Sequence, residues 1–317
     1  LTLRHWFLEV KQINIVDFQF FLHFIFGVRV RVSGDTIDAS APAIIIMNHR
    51  TRLDWFYFWL ALWRINPWLM TTNKIALKEL LRHTPGAGFG MQASQYVFLK
   101  RDLDIDTKRL SRAVDYYADM ERPYQILMFP EGTDKTEYTT RRNNYLTYIY
   151  DVTVAYPRDP VQNETDMILK GRVSTNVHYD IRKWSIDKVP THSDAVLNKW
   201  LLDVWTEKDE KLERFYSQRI KARRKLETGG ARNLWVKDDF RQILVKVVGF
   251  FFWVTVVSVW LYHMQFLRFV QVGLVWLILN YLYIYIIYGG IDNLIYCRWE
   301  RWRAKQLNFL VNSASIV

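Results

Sequence analysis

The sequence predicts an α/β domain built on a largely parallel sheet, followed by a helical hairpin long enough to cross a membrane. Three observations carry that prediction. Short apolar or alternating runs take turns with helix-length stretches between residues 27 and 240. Two long apolar runs lie near the C-terminus. Of the 317 residues, 50% are hydrophobic and 16% aromatic, with 14 Trp, yet 24% are charged. That is more apolar than a soluble domain needs and more charged than a chain lying wholly in lipid.

The chain opens on Leu1 rather than Met, which leaves room for a preceding segment. Within residues 1–26, the apolar stretch IVDFQFFLHFIFGV (15–28) carries Asp17 and His23. A bilayer takes roughly 20 apolar residues to span, so this piece reads as interfacial or buried. It also lacks a signal-peptide cleavage pattern. The domain proper is placed at 27–240. GVRVRVSGD (27–35) alternates with period 2, and PAIIIMN (42–48) is a short buried strand. Residues 52–65 read as a helix and QYVFLKR (95–101) as a strand. DTKRLSRAVDYYADM (106–120) is an amphipathic helix with Asp106 as its expected N-cap. YQILMFPEGT (124–133) is a strand entering a turn, and DVTVAYP (151–157) is a further buried strand. VSTNVHYDIRKW (173–184) alternates again, and 194–225 reads as a long charged helix.

ILVKVVGFFFWVTVVSVWLYH (243–263) and FLRFVQVGLVWLILNYLYIYIIY (266–288) are each long enough to cross a hydrocarbon core of roughly 30 Å. Only a few residues near Met264 and Gln265 separate them, so a tight hairpin over 241–290 is expected. Lys246 and Arg268 sit near segment ends, where basic side chains snorkel to headgroups. Basic residues flank the hairpin on both sides, from Arg219 to Arg241 before it and from Arg298 to Lys305 after it. The positive-inside rule therefore puts the domain and the basic tail, 291–317, in the cytosol. Charges beside a bilayer attract anionic lipid, which accounts for much of the net charge of +11 without nucleic acid. The single cysteine, Cys297, excludes an intramolecular disulfide and a thiolate-rich zinc site. Its membrane-border position permits palmitoylation, though an inert thiol is the simpler reading.

In such sheets, ligands gather where strands run into loops. Two motifs lie at such ends: Asn48-His49-Arg50-Thr51-Arg52-Leu53-Asp54 and Phe129-Pro130-Glu131-Gly132-Thr133. On one regular helix, five residues turn about 500° and would leave His49 and Asp54 roughly 140° apart. With His49 in the loop and Asp54 in the first helical turn, the carboxylate folds back onto Nδ1. That frees Nε2 as a general base, with a substrate hydroxyl in the role of the missing serine. Taken alone the pair also suits two solvated polar residues at a strand-to-helix junction. In the second motif Glu131 offers an acceptor for hydroxyls, and Gly132 lets a ligand approach the backbone.

Together, N-H-x4-D followed by F-P-E-G-T resembles the glycerolipid acyltransferase family, and within it the lysocardiolipin acyltransferase branch, over about residues 28–290. The resemblance implies a glycerol-phosphate acyltransferase-like sheet flanked by helices, with a C-terminal transmembrane hairpin. It implies an endoplasmic reticulum membrane enzyme moving an acyl group from acyl-CoA, a co-substrate, to a lysophospholipid. By the same resemblance His49 is the base, Asp54 its partner, and Glu131, Gly132 and Thr133 part of the acceptor pocket. Arg101, ending Val97-Phe98-Leu99-Lys100, matches the acceptor-phosphate ligand, Lys78 matches a commonly basic position, and the 151–157 strand lies near the acyl site. No cofactor and no metal set is implied. Asp102-Leu103-Asp104-Ile105-Asp106 mimics a calcium loop, but Thr107 and Ala113 occupy its required glycine and glutamate positions. Gly86, Gly88 and Gly90 mimic a dinucleotide fingerprint with no strand before them.

One departure stands out. Relatives carry a longer insert, with a proline-arginine segment, between the Arg141–Asn144 stretch and the 151–157 strand. Here Tyr145-Leu146-Thr147-Tyr148 crosses directly. The expectation is a break in the chain between about Asn144 and Asp151, where a segment has been left out. A true deletion would favour the rival reading, a catalytically impaired lipid-binding or scaffold subunit of a membrane complex. A nucleic-acid binder using the 219–241 basic stretch is the weaker rival.

Overall fold

The computed structural model describes residues 21–84, 87–130, 145–163, 166–167, 170–190, 193–221, 224–226, 240–266 and 268–314. Its centre is a seven-stranded sheet of β1 (Arg29–Gly34), β2 (Ala43–Met47), β3 (Asn73–Lys78), β4 (Val97–Leu99), β5 (Gln125–Met128), β6 (Tyr148–Ala155) and β7 (Asn176–Ser185), in the order β1-β7-β6-β2-β5-β3-β4. Every neighbouring pair is parallel except β6 and β7. Strands β6, β2, β5, β3 and β4 thus share one direction, and β7 and β1 run against them. β2 sits in the middle, and all five of its residues are buried, which is why its sequence is continuously apolar rather than alternating.

Helices cover both faces. Alternate residues decide which: Ile45, Leu127, Val152 and Val154 face α1 (Asp54–Ile65), whose Tyr57, Phe58 and Leu62 are fully buried. Ile44, Ile46, Ile126 and Met128 face the opposite way. There they meet α3 (Leu103–Asp119) and α4 (Asp194–Ser217), while α2 (Ala87–Ala93) bridges β3 and β4. The order of strands and helices agrees with the predicted α/β class. The strand β3 was not foreseen, because Asn73-Lys74-Ile75-Ala76-Leu77-Lys78 neither alternates cleanly nor carries turn residues ahead of it. The α3 helix begins three residues earlier than expected. Asp102 is its cap, accepting from the Ile105 amide at 3.0 Å, and Asp106 lies inside the first turns. α4 stops at Ser217, short of the expected 225.

The two apolar runs form α5 (Phe240–Phe266) and α6 (Arg268–Tyr288). Ile243–His263 and Gln271–Tyr288 are long and apolar enough to cross a membrane, and almost none of either window is buried. A long apolar helix with no protein covering it suits lipid rather than a soluble core. Lys246, expected to snorkel to headgroups, is instead 1% exposed with its ammonium 5.6 Å from the centre of the Trp63 ring. The start of α5 leans on the end of α1, so protein rather than headgroups surrounds that lysine. The Arg268 side chain lies outside the described residues.

The expected basic tail also has a defined structure, helix α7 (Ile291–Ala314). Tyr296 and Trp299 are 7% and 6% exposed and pack on Tyr116 of α3 at 5.3 and 5.6 Å between ring centroids. Trp299 Nε1 donates to Asp119 at 3.0 Å. At the helix start, buried Asp292 accepts from Arg82, and the Ile291 amide donates to Gln92 Oε1 at 3.0 Å. Aromatic pairs of this kind bury on the order of 150–250 Å² per ring, enough to fix α7 to the domain. The apolar side of the tail was masked by its basic surface residues, so composition alone pointed away from docking.

From Tyr145 the described chain enters the sheet directly. The Thr147 amide donates to the Pro42 carbonyl at 2.9 Å, and Tyr148 pairs with Ala43 as β6 begins. The expected break begins at Asn144, which lies outside the described residues. β6 starts three residues earlier than the apolar run suggested, and this absorbs the short connection.

Candidate active site

β2, β5, β3 and β4 are parallel neighbours, so their C-terminal ends open on one edge of the sheet. His49 follows β2, Phe129 follows β5, Lys78 ends β3, and Arg101 follows β4. Strands lie about 4.8 Å apart, so these residues line a single edge in that order. Glu131, Gly132 and Thr133 lie outside the described residues.

The His49 loop is held from two sides. Asn48 continues the β2–β6 ladder with its side chain: Nδ2 donates to the Val154 carbonyl at 3.0 Å, and Oδ1 accepts the Val154 amide at 2.7 Å. Asp54, the first residue of α1, is wholly buried and turns back under the loop. Its Oδ2 accepts from the amides of Arg50 and Thr51 at 2.6 and 2.9 Å and lies 3.1 Å from His49 Nδ1. Oδ1 accepts from Thr51 Oγ1 at 3.2 Å and from the Tyr156 hydroxyl at 2.5 Å. Five donors thus converge on one carboxylate that water does not reach, the condition for burying such a group. The Asp54 oxygen beside Nδ1 is an acceptor, so the ring proton belongs on Nδ1 and the lone pair on Nε2. The His49 side chain is 40% exposed, and its ring rests 4.5 Å from that of Phe129. A supported ring with one buried and one open nitrogen is the geometry of a general base.

The same contacts exclude a second role for the loop. The Arg50 and Thr51 amides are engaged by Asp54, so they do not serve as donors to a developing oxyanion. Two tyrosines complete the frame. The Tyr179 hydroxyl donates to the Asp54 carbonyl at 3.2 Å, and the Ser174 amide donates to the Tyr57 hydroxyl at 3.0 Å. Burial, and then the charge of Asp54, push the phenols of Tyr156 and Tyr179 well above the ordinary tyrosine range, so both remain donors.

The loop after β4 is built differently. Arg101 takes the left-handed conformation, φ +66°, a conformation that costs a non-glycine residue on the order of 1 kcal/mol. Asp106 compensates: its Oδ1 accepts the Lys100 amide and its Oδ2 the Arg101 amide, each at 2.8 Å. The Arg101 side chain and Lys78 are exposed on the edge, where a guanidinium can grip a phosphate through two parallel bonds. Sequence reasoning named His49, Asp54, Arg101 and Lys78, which fall on this edge, but did not foresee Asn48 as a clamp, Tyr156 as a partner of Asp54 or the Asp106 bonds to the Lys100 and Arg101 amides. Tyr156 sits in the 151–157 strand, yet only strand register says that its hydroxyl reaches residue 54.

A buried carboxylate thus backs a half-open histidine at the strand ends of a mostly parallel sheet, beside exposed cations. Residues 29–155 match the Acyltransferase family model and residues 167–225 the Acyltransferase C-terminus model. Lysophosphatidylinositol acyltransferase 10 of Caenorhabditis elegans is 41% identical over 93% of this chain and 84% of its own length. Lysocardiolipin acyltransferase 1 of Gallus gallus is 31% identical over 73% of this chain and 68% of its own length. The chain belongs to the acyltransferase family, as its motifs suggested. A solved crystal structure of the 1-acyl-sn-glycerophosphate (LPA) acyltransferase PlsC from Thermotoga maritima superposes on 68% of this chain and 82% of that one, at a TM-score of 0.40 and 18% identity, a likeness too slight to build on. The alignment to the Caenorhabditis elegans relative runs over 330 positions but uses only 93% of these 317 residues. That relative therefore carries residues with no counterpart here, in keeping with the direct entry of Tyr145–Thr147 into β6.

Proposed function

We propose that this acyltransferase is a membrane-bound enzyme that moves an acyl group from acyl-CoA to the free hydroxyl of a lysophospholipid, with His49 as general base. The observation that carries the reading is the His49–Asp54 pair, 3.1 Å apart with Asp54 buried and Nε2 left open. As the acceptor oxygen bonds to the thioester carbonyl carbon, His49 Nε2 takes the hydroxyl proton. The tetrahedral intermediate then expels the CoA thiolate by breaking the C–S bond, and the proton on Nε2 neutralises that sulfur. Asp54 holds the ring in the required tautomer and balances the imidazolium charge that forms. No acyl-enzyme is needed.

Lysophosphatidylinositol is the first acceptor to try, since the relative with that word in its name shares 41% identity. The exposed apolar faces of α5 and α6 support a bilayer location, and the basic flanks support a cytosolic catalytic domain on the endoplasmic reticulum. Purified full-length chain in lipid nanodiscs, given acyl-CoA and a panel of lysophospholipids, is expected to acylate at least one acceptor in a His49-dependent manner. Equal turnover by wild type and His49→Ala overturns the base assignment. Failure with every acceptor, from a folded protein, favours the scaffold reading, which the short entry into β6 supports. Labelling of single cysteines introduced near residues 110 and 310 into a Cys297→Ser chain in intact microsomes tests orientation, and lumenal protection of either site overturns it.

A further inference from the structure

The acceptor edge has its own internal brace, and it is built from α3. Asp106 is 7% exposed and receives both backbone amides of the residues that carry the edge cations, Lys100 and Arg101, at 2.8 Å each. One helical turn on, Arg109 donates to the Phe98 carbonyl in β4 at 2.6 Å and pairs with Glu79, the residue directly after Lys78. Burial raises the Glu79 carboxyl, but the Arg109 hydrogen bond and the charges of Arg109, Arg82 and Lys100 offset this and hold it below the usual range. Glu79 is thus an anion for the pairing. α3 therefore touches the backbone under Arg101 and the residue beside Lys78 from a single helical face.

A non-glycine residue stays in the left-handed region only while its surroundings over-determine it, and at Arg101 the two Asp106 hydrogen bonds supply that support. Rotation about φ at Arg101 re-aims the whole side chain. Asp106 is buried and its two carboxylate oxygens are engaged by the Lys100 and Arg101 amides, so its contacts bear on the backbone that aims Arg101.

We propose that Asp106 is a positioning residue for the phosphorylated acceptor, holding Arg101 in its left-handed conformation so that the guanidinium meets the acceptor phosphate. This rests on the reading of Arg101 as the phosphate ligand. The test is steady-state kinetics of the full chain in nanodiscs with acyl-CoA and lysophosphatidylinositol, on wild type, Arg101→Ala, Asp106→Ala, Asp106→Asn and the two Arg101/Asp106 double variants. Loss of both hydrogen bonds to a charged acceptor is expected to raise the acceptor KM about tenfold in Asp106→Ala. Asp106→Asn keeps one acceptor oxygen, so its KM is expected to rise only about threefold. In both, kcat and the KM for acyl-CoA stay within about twofold of wild type. In the Arg101→Ala background either change at 106 adds less than about twofold, because the group it positions is gone.

Full additivity of the two sites overturns the proposal, and so does a parallel fall of kcat and acyl-CoA affinity, since either marks a general structural role. Should Asp106→Ala not fold, Asp106→Asn carries the same cycle. An Arg101→Ala variant with an unchanged acceptor KM refutes the phosphate reading itself. A raised KM in Arg101→Ala beside an unchanged one in Asp106→Ala refutes only the brace.

Discussion

The loops after β2 and β4 rely on the same device and differ in how far it reaches. Each has an aspartate in the helix that follows, and each aspartate accepts two consecutive loop amides: Arg50 and Thr51 for Asp54, Lys100 and Arg101 for Asp106. Asp54 goes further, meeting the His49 ring itself and drawing in Tyr156, the residue after β6. Asp106 stops at the backbone. The difference follows from what each loop presents. A general base needs one ring nitrogen aimed within hydrogen-bond reach, so its side chain must be held. A guanidinium carries a fixed charge and five donors, so placing its backbone suffices.

The largest expected effect separates the two halves of the first loop. His49→Ala removes the proposed base and should cost 10²–10⁴-fold in kcat, with an unchanged thermal transition because the ring is 40% exposed. Asp54→Ala should match that kinetic loss and also lower the transition, since the buried donors it leaves unmatched cost about 1–3 kcal/mol each. Equal stability of the two variants would break the comparison.

Tyr156→Phe removes one of five donors to Asp54 and fills the same space. A fall in kcat of about tenfold is expected, with the acceptor KM unmoved, the opposite pattern from Arg101→Ala. A shared pattern would mean that the two loops do not divide the work between chemistry and acceptor binding.

The smallest effect lies away from the loops, in β7. Burial, then the charges of Arg31 and Lys225, lower the His178 imidazole from 6.5 to about 4. The folded value lies below the unfolded one, so the unfolded chain binds the proton first. Stability from this site is intact above pH 6.5 and is lost as pH falls from 6.5 towards 4. His178→Gln should flatten that slope in thermal unfolding between about pH 7 and pH 4.5 without altering activity at neutral pH. An unchanged slope would show that other groups set the acid response.

The amino-acid sequence by itself determined the α/β class, most strands and the two apolar spans, because these depend on local periodicity and run length. The His49 to Asp54 spacing was legible for the same reason: both residues belong to one loop and the helix it enters. Glu131, Gly132 and Thr133 were named from sequence alone and lie outside the described residues. Only the tertiary structure decided that Tyr156 reaches Asp54 across 102 residues of chain, since this requires β6 to pair with β2 in one register. The same holds for Lys246 under α1, for α7 against α3, and for Asp106, which looked like a helix cap and proved to grip the loop ahead of it. Short-range patterns record which face of an element is apolar. They do not record which polar group on another element will satisfy a buried donor or acceptor, because that partner is chosen only when the elements pack.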